Sequence, residues 1–262
     1  MDAGDIGGII IAVVSLAAFY MLFRNFAGLV RLFMHSITPL SKAEKTILET
    51  HSPFYRSLRP AGKKEFSKRV KEVIYDKEWI GRGIAITQEM KVRVAATLTQ
   101  LTFGLERALL VHFKKVFIFP EEYFVRSSGQ WHQGDVRPGQ RSIVLSWKHF
   151  EQGQADPHDG RDLGLHELAH ALWLEDRIEN KEHRLLDPVT LKEWRTLAGH
   201  EMARIRNGEE RPFRKYAAVN EAEFFAVAVE QFFERPREVA RELPELHRCM
   251  TRLLKQDPAR AN

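Results

Sequence analysis

The sequence predicts an α+β domain, mostly helical with a small sheet, preceded by one transmembrane helix. Three observations carry that expectation. Apolar residues recur at helical spacing over most of the 262 residues. Two short runs rich in β-branched and aromatic residues interrupt this pattern, and helices, then strands, then helices is not the alternation of a parallel βαβ sheet. At the amino terminus an 18-residue stretch, Ile6–Phe23, carries no charge.

That first stretch would span about 27 Å as a helix, close to a bilayer core of about 30 Å. A signal peptide wants a positive start, and MDAGD is acidic. Arg24, Arg31, Lys42 and Lys45 follow the apolar run and no Lys or Arg precedes it. The positive-inside rule therefore predicts an inner-membrane anchor with the body in the cytoplasm, the alternative being a cytoplasmic protein. Residues 1–35 are expected to be anchor and juxtamembrane segment, and residues 36–262 the domain. In the body, Pro39 and Ser41 mark a linker and a helix start, and helices are expected over Lys42–Leu58, Lys63–Asp76 and Thr87–Leu105. Val116–Pro120 and Ser142–Trp147 read as strands around a Gly-rich polar loop, Ser127–Gly139. Helical patterns resume near Arg161 and continue at Val189–Arg204, Glu221–Phe233 and Pro236–Leu254.

Composition narrows the function. With 44% hydrophobic and 29% charged residues the chain is globular rather than disordered. The net charge of +5 is spread without long runs of one sign, so no direct nucleic-acid binding is expected. The single cysteine, Cys249, rules out an internal disulfide and a Cys-rich zinc site. A metal here must rest mainly on His and carboxylates.

The chemistry lies in His166-Glu167-Leu168-Ala169-His170. Histidines four apart project from one helix face about one turn apart, so both rings can reach one ion. Zinc suits imidazole, and the adjacent Glu167 can take a proton from water activated by the ion. Leu165, Leu168, Ala169, Leu172 and Trp173 give this helix a side to bury, and Asp159 or Asp162 can cap it. By chance roughly 0.04 such motifs would be expected, so a helix with two unrelated histidines is the weaker reading.

Catalytic zinc usually has three protein ligands. One class of site takes the third just past a turn glycine; here that ligand would be Asp176, but Trp173 stands where the glycine would be. Another class takes a Glu from a later helix. Asn220-Glu221-Ala222-Glu223 opens one whose apolar face is Phe224, Phe225, Ala228, Phe232 and Phe233. Glu223 adjoins that face and is favoured, with Glu221 and Glu230 as further candidates. Asn220 and Glu223 are also spaced as a capping box, which needs no metal.

These residues carry a resemblance. From about Pro53 to Pro258 the chain resembles the Mlc titration factor A family of zinc metallopeptidases, through Ile118–Pro120, Ile143–Trp147, HELAH, Asn220–Phe233 and Lys255–Pro258. The catalytic end is also similar to bacterial lethal-factor toxins. The resemblance implies a zincin-like domain in which His166, His170 and Glu223 bind zinc, Glu167 is the general base and Tyr216 the active-site tyrosine. A phenol there can donate a hydrogen bond to the oxyanion. It further implies a peptide or protein substrate, which we expect along the edge of the sheet containing Ser142–Trp147, and a second role in binding and sequestering a transcriptional repressor. The chain departs from the family at Ala171-Leu172-Trp173 and from the toxins at Val227, where they carry an acid. No group is therefore assigned to orienting the free nitrogens of the two histidines.

Overall fold

The computed structural model describes Tyr20 and residues 39–106, 109–126, 129–178, 185–209 and 211–260. Ten helices and six strands lie among the described residues, as an α+β arrangement with a small mixed sheet. The transmembrane part of the expected fold is corrected: among the described residues no helix is long and apolar enough to cross a membrane. Apart from Tyr20, the stretch Ile6–Phe23 lies outside them. An uncharged run meets the length criterion for a span, but length and apolarity alone do not establish one.

Helix α1, Lys42–His51, starts at Ser41 in a capping box: Glu44 N–H donates to Ser41 Oγ at 3.2 Å and Ser41 N–H to Glu44 Oε2 at 2.6 Å. The expected single helix to Leu58 is broken. Pro53 lacks an N–H and disfavours helical backbone at Ser52, so Ser52 closes α1 and caps the short α2, Pro53–Ser57. Helices α3, Pro60–Asp76, and α4, Gln88–Thr102, follow.

The sheet order is β1 (Glu78–Gly81), β2 (Lys115–Phe119), β6 (Ser142–Ser146), β5 (Gly134–Arg137). The first three are parallel and β5 is antiparallel to β6, pairing Gly134 with Leu145 and Arg137 with Ser142. Strands β2 and β6 are the two expected ones. β6 is buried at all five residues and lies inside the sheet. The stretch read as a polar loop instead holds β5 and part of a hairpin of β3 (Tyr123–Val125) and β4 (Gln130–His132). Trp147, expected to end a strand, begins α5, Trp147–Ala155, capped by Ser146.

Helix α6, Leu163–Ile178, carries HELAH and packs against α4, α5, β5 and β6 as well as α8, Glu221–Glu234. Helix α7 spans Pro188–Arg206. A cluster of aromatic rings fixes α6, α7 and α8 together: Trp173 lies 5.1 Å from Phe225 and 5.4 Å from Trp194, and Trp194 lies 5.3 Å from Phe225. These rings are almost wholly buried, and each such side chain contributes roughly 1.5–3 kcal/mol of apolar transfer. The last expected helix is also divided, by Pro244, into α9 (Pro236–Glu242) and α10 (Pro244–Leu254). Residues Leu40–Asn262 form one compact unit.

Candidate metal centre

Helix α6 begins where Leu165 N–H donates to Asp162 Oδ1 at 2.8 Å, so Asp162 rather than Asp159 caps it. Burial pushes the Asp162 carboxyl up to about 6 against the lowering effect of that hydrogen bond. One turn separates His166 from His170, and their Nε2 atoms lie 3.1 Å apart.

Helix α8 brings the third donor. Asn220 Oδ1 accepts from Glu223 N–H at 3.0 Å, so the N-cap is real. The Glu223 carboxylate nevertheless reaches the histidines, with Oε2 at 3.3 Å from His166 Nε2 and 3.4 Å from His170 Nε2. One donor atom from each of His166, His170 and Glu223 lies within 4.8 Å of the others. Ligands about 2.05 Å from a tetrahedral zinc would stand about 3.3 Å apart, which is the spacing found. Glu223 Oε2 is buried and forms no hydrogen bond, an orphan that a cation would satisfy.

Electrostatics point the same way. Burial alone would lower His166, but Glu223 and Glu230 override it and raise the ring to about 10. The two histidines hold the Glu223 carboxyl well below its usual range although burial opposes them. Several carboxylates thus converge on one ring and call for positive charge. The residues fit a metal ion.

The other candidates separate. Glu230, two turns after Glu223, is buried at His166's opposite nitrogen, with Oε1 2.6 Å from Nδ1. Arg214 donates to both Glu230 oxygens, at 2.7 and 2.9 Å. With Nδ1–H donating to Glu230, the His166 nitrogen left to ligate a metal is Nε2, which faces Glu223 and His170. Glu221 points elsewhere, 3.6 Å from Arg195. Asp176 also lies elsewhere: α6 runs eight residues past His170, and the buried Asp176 carboxylate accepts from Leu186 N–H at 2.9 Å. Trp173 does not turn the chain because its indole is locked in the core.

Glu167 is buried where α6 meets β5. A Cβ on Gly134 would lie 2.5 Å from Glu167 Cγ, Cδ and Oε1, so glycine leaves the room the carboxyl occupies. Burial raises that carboxyl to about 7, against the lowering effect of His166 and His170. Tyr216 sits on a 3-10 turn, Lys215–Ala218, with its ring 6.3 Å from His166. Burial first, then Glu223, pushes its hydroxyl up to about 12. His166, Glu167, Tyr216, Arg214 and Glu230 all line a cleft of about 750 Å³, with Gln130–Gly134 as another wall. The sheet edge beside this cleft is β5, an edge strand of the sheet that contains Ser142–Ser146; β6 itself is paired on both sides. Arg214 carried no sequence signal, since nothing in its spacing links it to HELAH.

The chain is 28% identical to Mlc titration factor A of Serratia proteamaculans over 196 residues, covering 68% of this chain and 73% of that one. It is likewise 28% identical to Mlc titration factor A of Yersinia pestis over 198 residues, covering 68% and 71%. It is 23% identical over 236 residues to Uncharacterized protein slr2042 of Synechocystis, covering 84% and 86%. The model of one family, described as Glucose-regulated metallo-peptidase M90, matches residues 31–255. With most of its length so matched, the chain belongs to the Glucose-regulated metallo-peptidase M90 family.

Proposed function

We propose that the protein is a zinc-dependent peptidase in which His166, His170 and Glu223 hold the metal, Glu167 is the general base and Tyr216 stabilises the oxyanion. The observation that carries this reading is the convergence of three donor atoms within 4.8 Å, one of them on His166, which with the buried Glu167 lines an open cleft. Family membership supports a metallopeptidase; the choice of zinc rests on two imidazoles and one carboxylate. Residues 36–262 are the peptidase domain in this reading, and residues 1–35 a separate N-terminal segment.

Zinc bound here would supply a Lewis acid that polarises the scissile carbonyl and acidifies water at neutral pH. Glu167 takes the proton of the attacking water on a carboxylate oxygen and delivers it to the leaving nitrogen as the C–N bond breaks. A carboxyl raised to about 7 suits both halves of that transfer. Tyr216 donates its hydroxyl proton in a hydrogen bond to the carbonyl oxygen as charge develops. Glu230 and Arg214 hold the His166 ring in place throughout.

The test is digestion of a peptide library by metal-replete protein, with and without chelator, beside Glu167→Gln. Cleavage that is lost with chelator and falls at least about 100-fold in the variant supports the reading. Equal cleavage by the variant would sink it. A second reading is favoured by the relatives called Mlc titration factor A. In it the protein binds and sequesters a transcriptional repressor and peptide cleavage is secondary; binding of such a partner unchanged by Glu167→Gln supports it.

A further inference from the structure

The hairpin beside the cleft is fastened on one face and bare on the other. Tyr123 stands opposite His132, and Phe124 opposite Trp131. Directly opposed residues share a face and neighbours along a strand alternate, so Tyr123 and His132 form one face and Phe124 and Trp131 the other. The Tyr123 ring stacks on Phe119 of β2 at 4.5 Å, and Arg137 of β5 lies over it at 5.6 Å. Among the described residues the opposite face has nothing comparable: Phe124 is 51% exposed and Trp131 68%. Their rings meet edge to face at 5.7 Å.

An indole left in water forgoes a burial that this chain gives to Trp173 and Trp194. Trp131 is placed where a substrate can restore it. It lines the same cleft as His166, Glu167 and Tyr216. Three residues later the chain reaches Gly134, which abuts Glu167 and begins β5. Three extended residues span at most about 10 Å, so the Trp131 backbone lies within about that distance of Gly134 and the Glu167 it abuts. Tyr216, also half exposed, lines the cleft as a second ring.

We infer that Trp131, braced by Phe124, is a specificity-determining residue: it forms an aromatic subsite that selects peptides with an aromatic or large aliphatic side chain within about three residues of the cleaved bond. This rests on the peptidase reading. Aromatic rings at the centre of a contact carry disproportionate binding energy, and a rigid ring on a fastened ribbon loses little entropy on binding.

The experiment compares metal-replete full-length wild type, Trp131→Ala and Trp131→Tyr on a peptide library. Circular dichroism and bound metal are checked first; an exposed indole should leave both unchanged. The expected result is enrichment of Phe, Tyr, Trp, Leu or Met within three residues of the cut. For those peptides Trp131→Ala should lower kcat/KM about 10- to 100-fold, mostly through KM, and Trp131→Tyr should restore most of it. Peptides with Gly or Ser there should change by less than about twofold. If peptides are cut without that preference, or all slow equally in Trp131→Ala, the subsite is wrong while the peptidase reading stands. If nothing is cut, the peptidase reading fails, and a binding arm decides the subsite. There a Phe-containing peptide is titrated onto Glu167→Gln protein with and without Trp131→Ala. Weaker binding without the indole supports the subsite, and equal binding overturns it.

Discussion

His166 Nδ1 lies 2.6 Å from Glu230 Oε1, and Arg214 donates to both oxygens of the same carboxylate. The ring that faces the donor cluster is thereby held from behind by a buried, neutralised acid. Groups of this kind orient a ligating histidine and raise its basicity. Glu230→Gln should weaken zinc affinity by about 10- to 100-fold, read by competition with a chromophoric chelator. An affinity within twofold of wild type would show that the pair is merely structural.

The donors themselves should respond more strongly. Glu223→Ala is expected to weaken zinc by at least about 100-fold, because a ligand rather than its support is lost. Asp176→Ala should change zinc by less than about tenfold yet lower thermal stability, since Leu186 N–H would lose its buried acceptor at a cost of about 1–3 kcal/mol. Chelator competition and thermal melts on both variants separate the two effects. Normal zinc binding by a folded Glu223→Ala protein would dismantle the ligand set.

Tyr216→Phe keeps the ring and removes the donor. Turnover should fall roughly 10- to 1000-fold with zinc retained, if the hydroxyl serves the oxyanion. Steady-state kinetics and metal content check this, and an unchanged kcat would remove Tyr216 from the chemistry.

Gly134 offers a probe of Glu167 that leaves every donor intact. A methyl at 134 would overlap the Glu167 carboxyl and displace it. Gly134→Ala should therefore reduce cleavage by about tenfold or more, because misplacement near 1 Å can cost about 100-fold. Bound zinc, measured by elemental analysis, should stay near the wild-type content.

Glu234 gives a prediction in pH. Burial, then the charges of Asp162 and Asp159, lift its carboxyl to about 8, and Oε2 has no hydrogen bond. The folded state therefore holds a proton that the unfolded chain releases near 4.5. The resulting stabilisation is complete below about 4.5 and lost as pH rises through about 8. Glu234→Gln should flatten that slope and be the more stable protein above about pH 8, by denaturant melts in chelator. A steeper slope in the variant would refute the assignment.

The sequence by itself determined what local geometry dictates. Helical rise puts His166 and His170 on one face wherever the helix packs, and Ser41, Thr87 and Asn220 cap helices through bonds three residues long. Strands β2 and β6 were legible because their short apolar runs are rich in β-branched and aromatic residues. The four-residue β1 and β5 were not, since runs that short carry no periodic signal and pairing makes them strands. The helix breaks at Pro53 and Pro244 were written in the sequence but outweighed by periodicity.

Only the tertiary structure decided which acid meets the histidines. Glu223, Glu221, Glu230 and Asp176 are chemically alike, and it is the packing of Phe225 between Trp173 and Trp194 that registers α8 against α6. That registration sets Glu223 at Nε2 and Glu230 at Nδ1 of one ring, and it leaves Asp176 to hold Leu186. Arg214 and Gly134 enter through contacts 16 and 33 residues away in sequence, beyond any helical or strand period. Spacing rules extend over a turn or two of chain, whereas close packing fixes the rest.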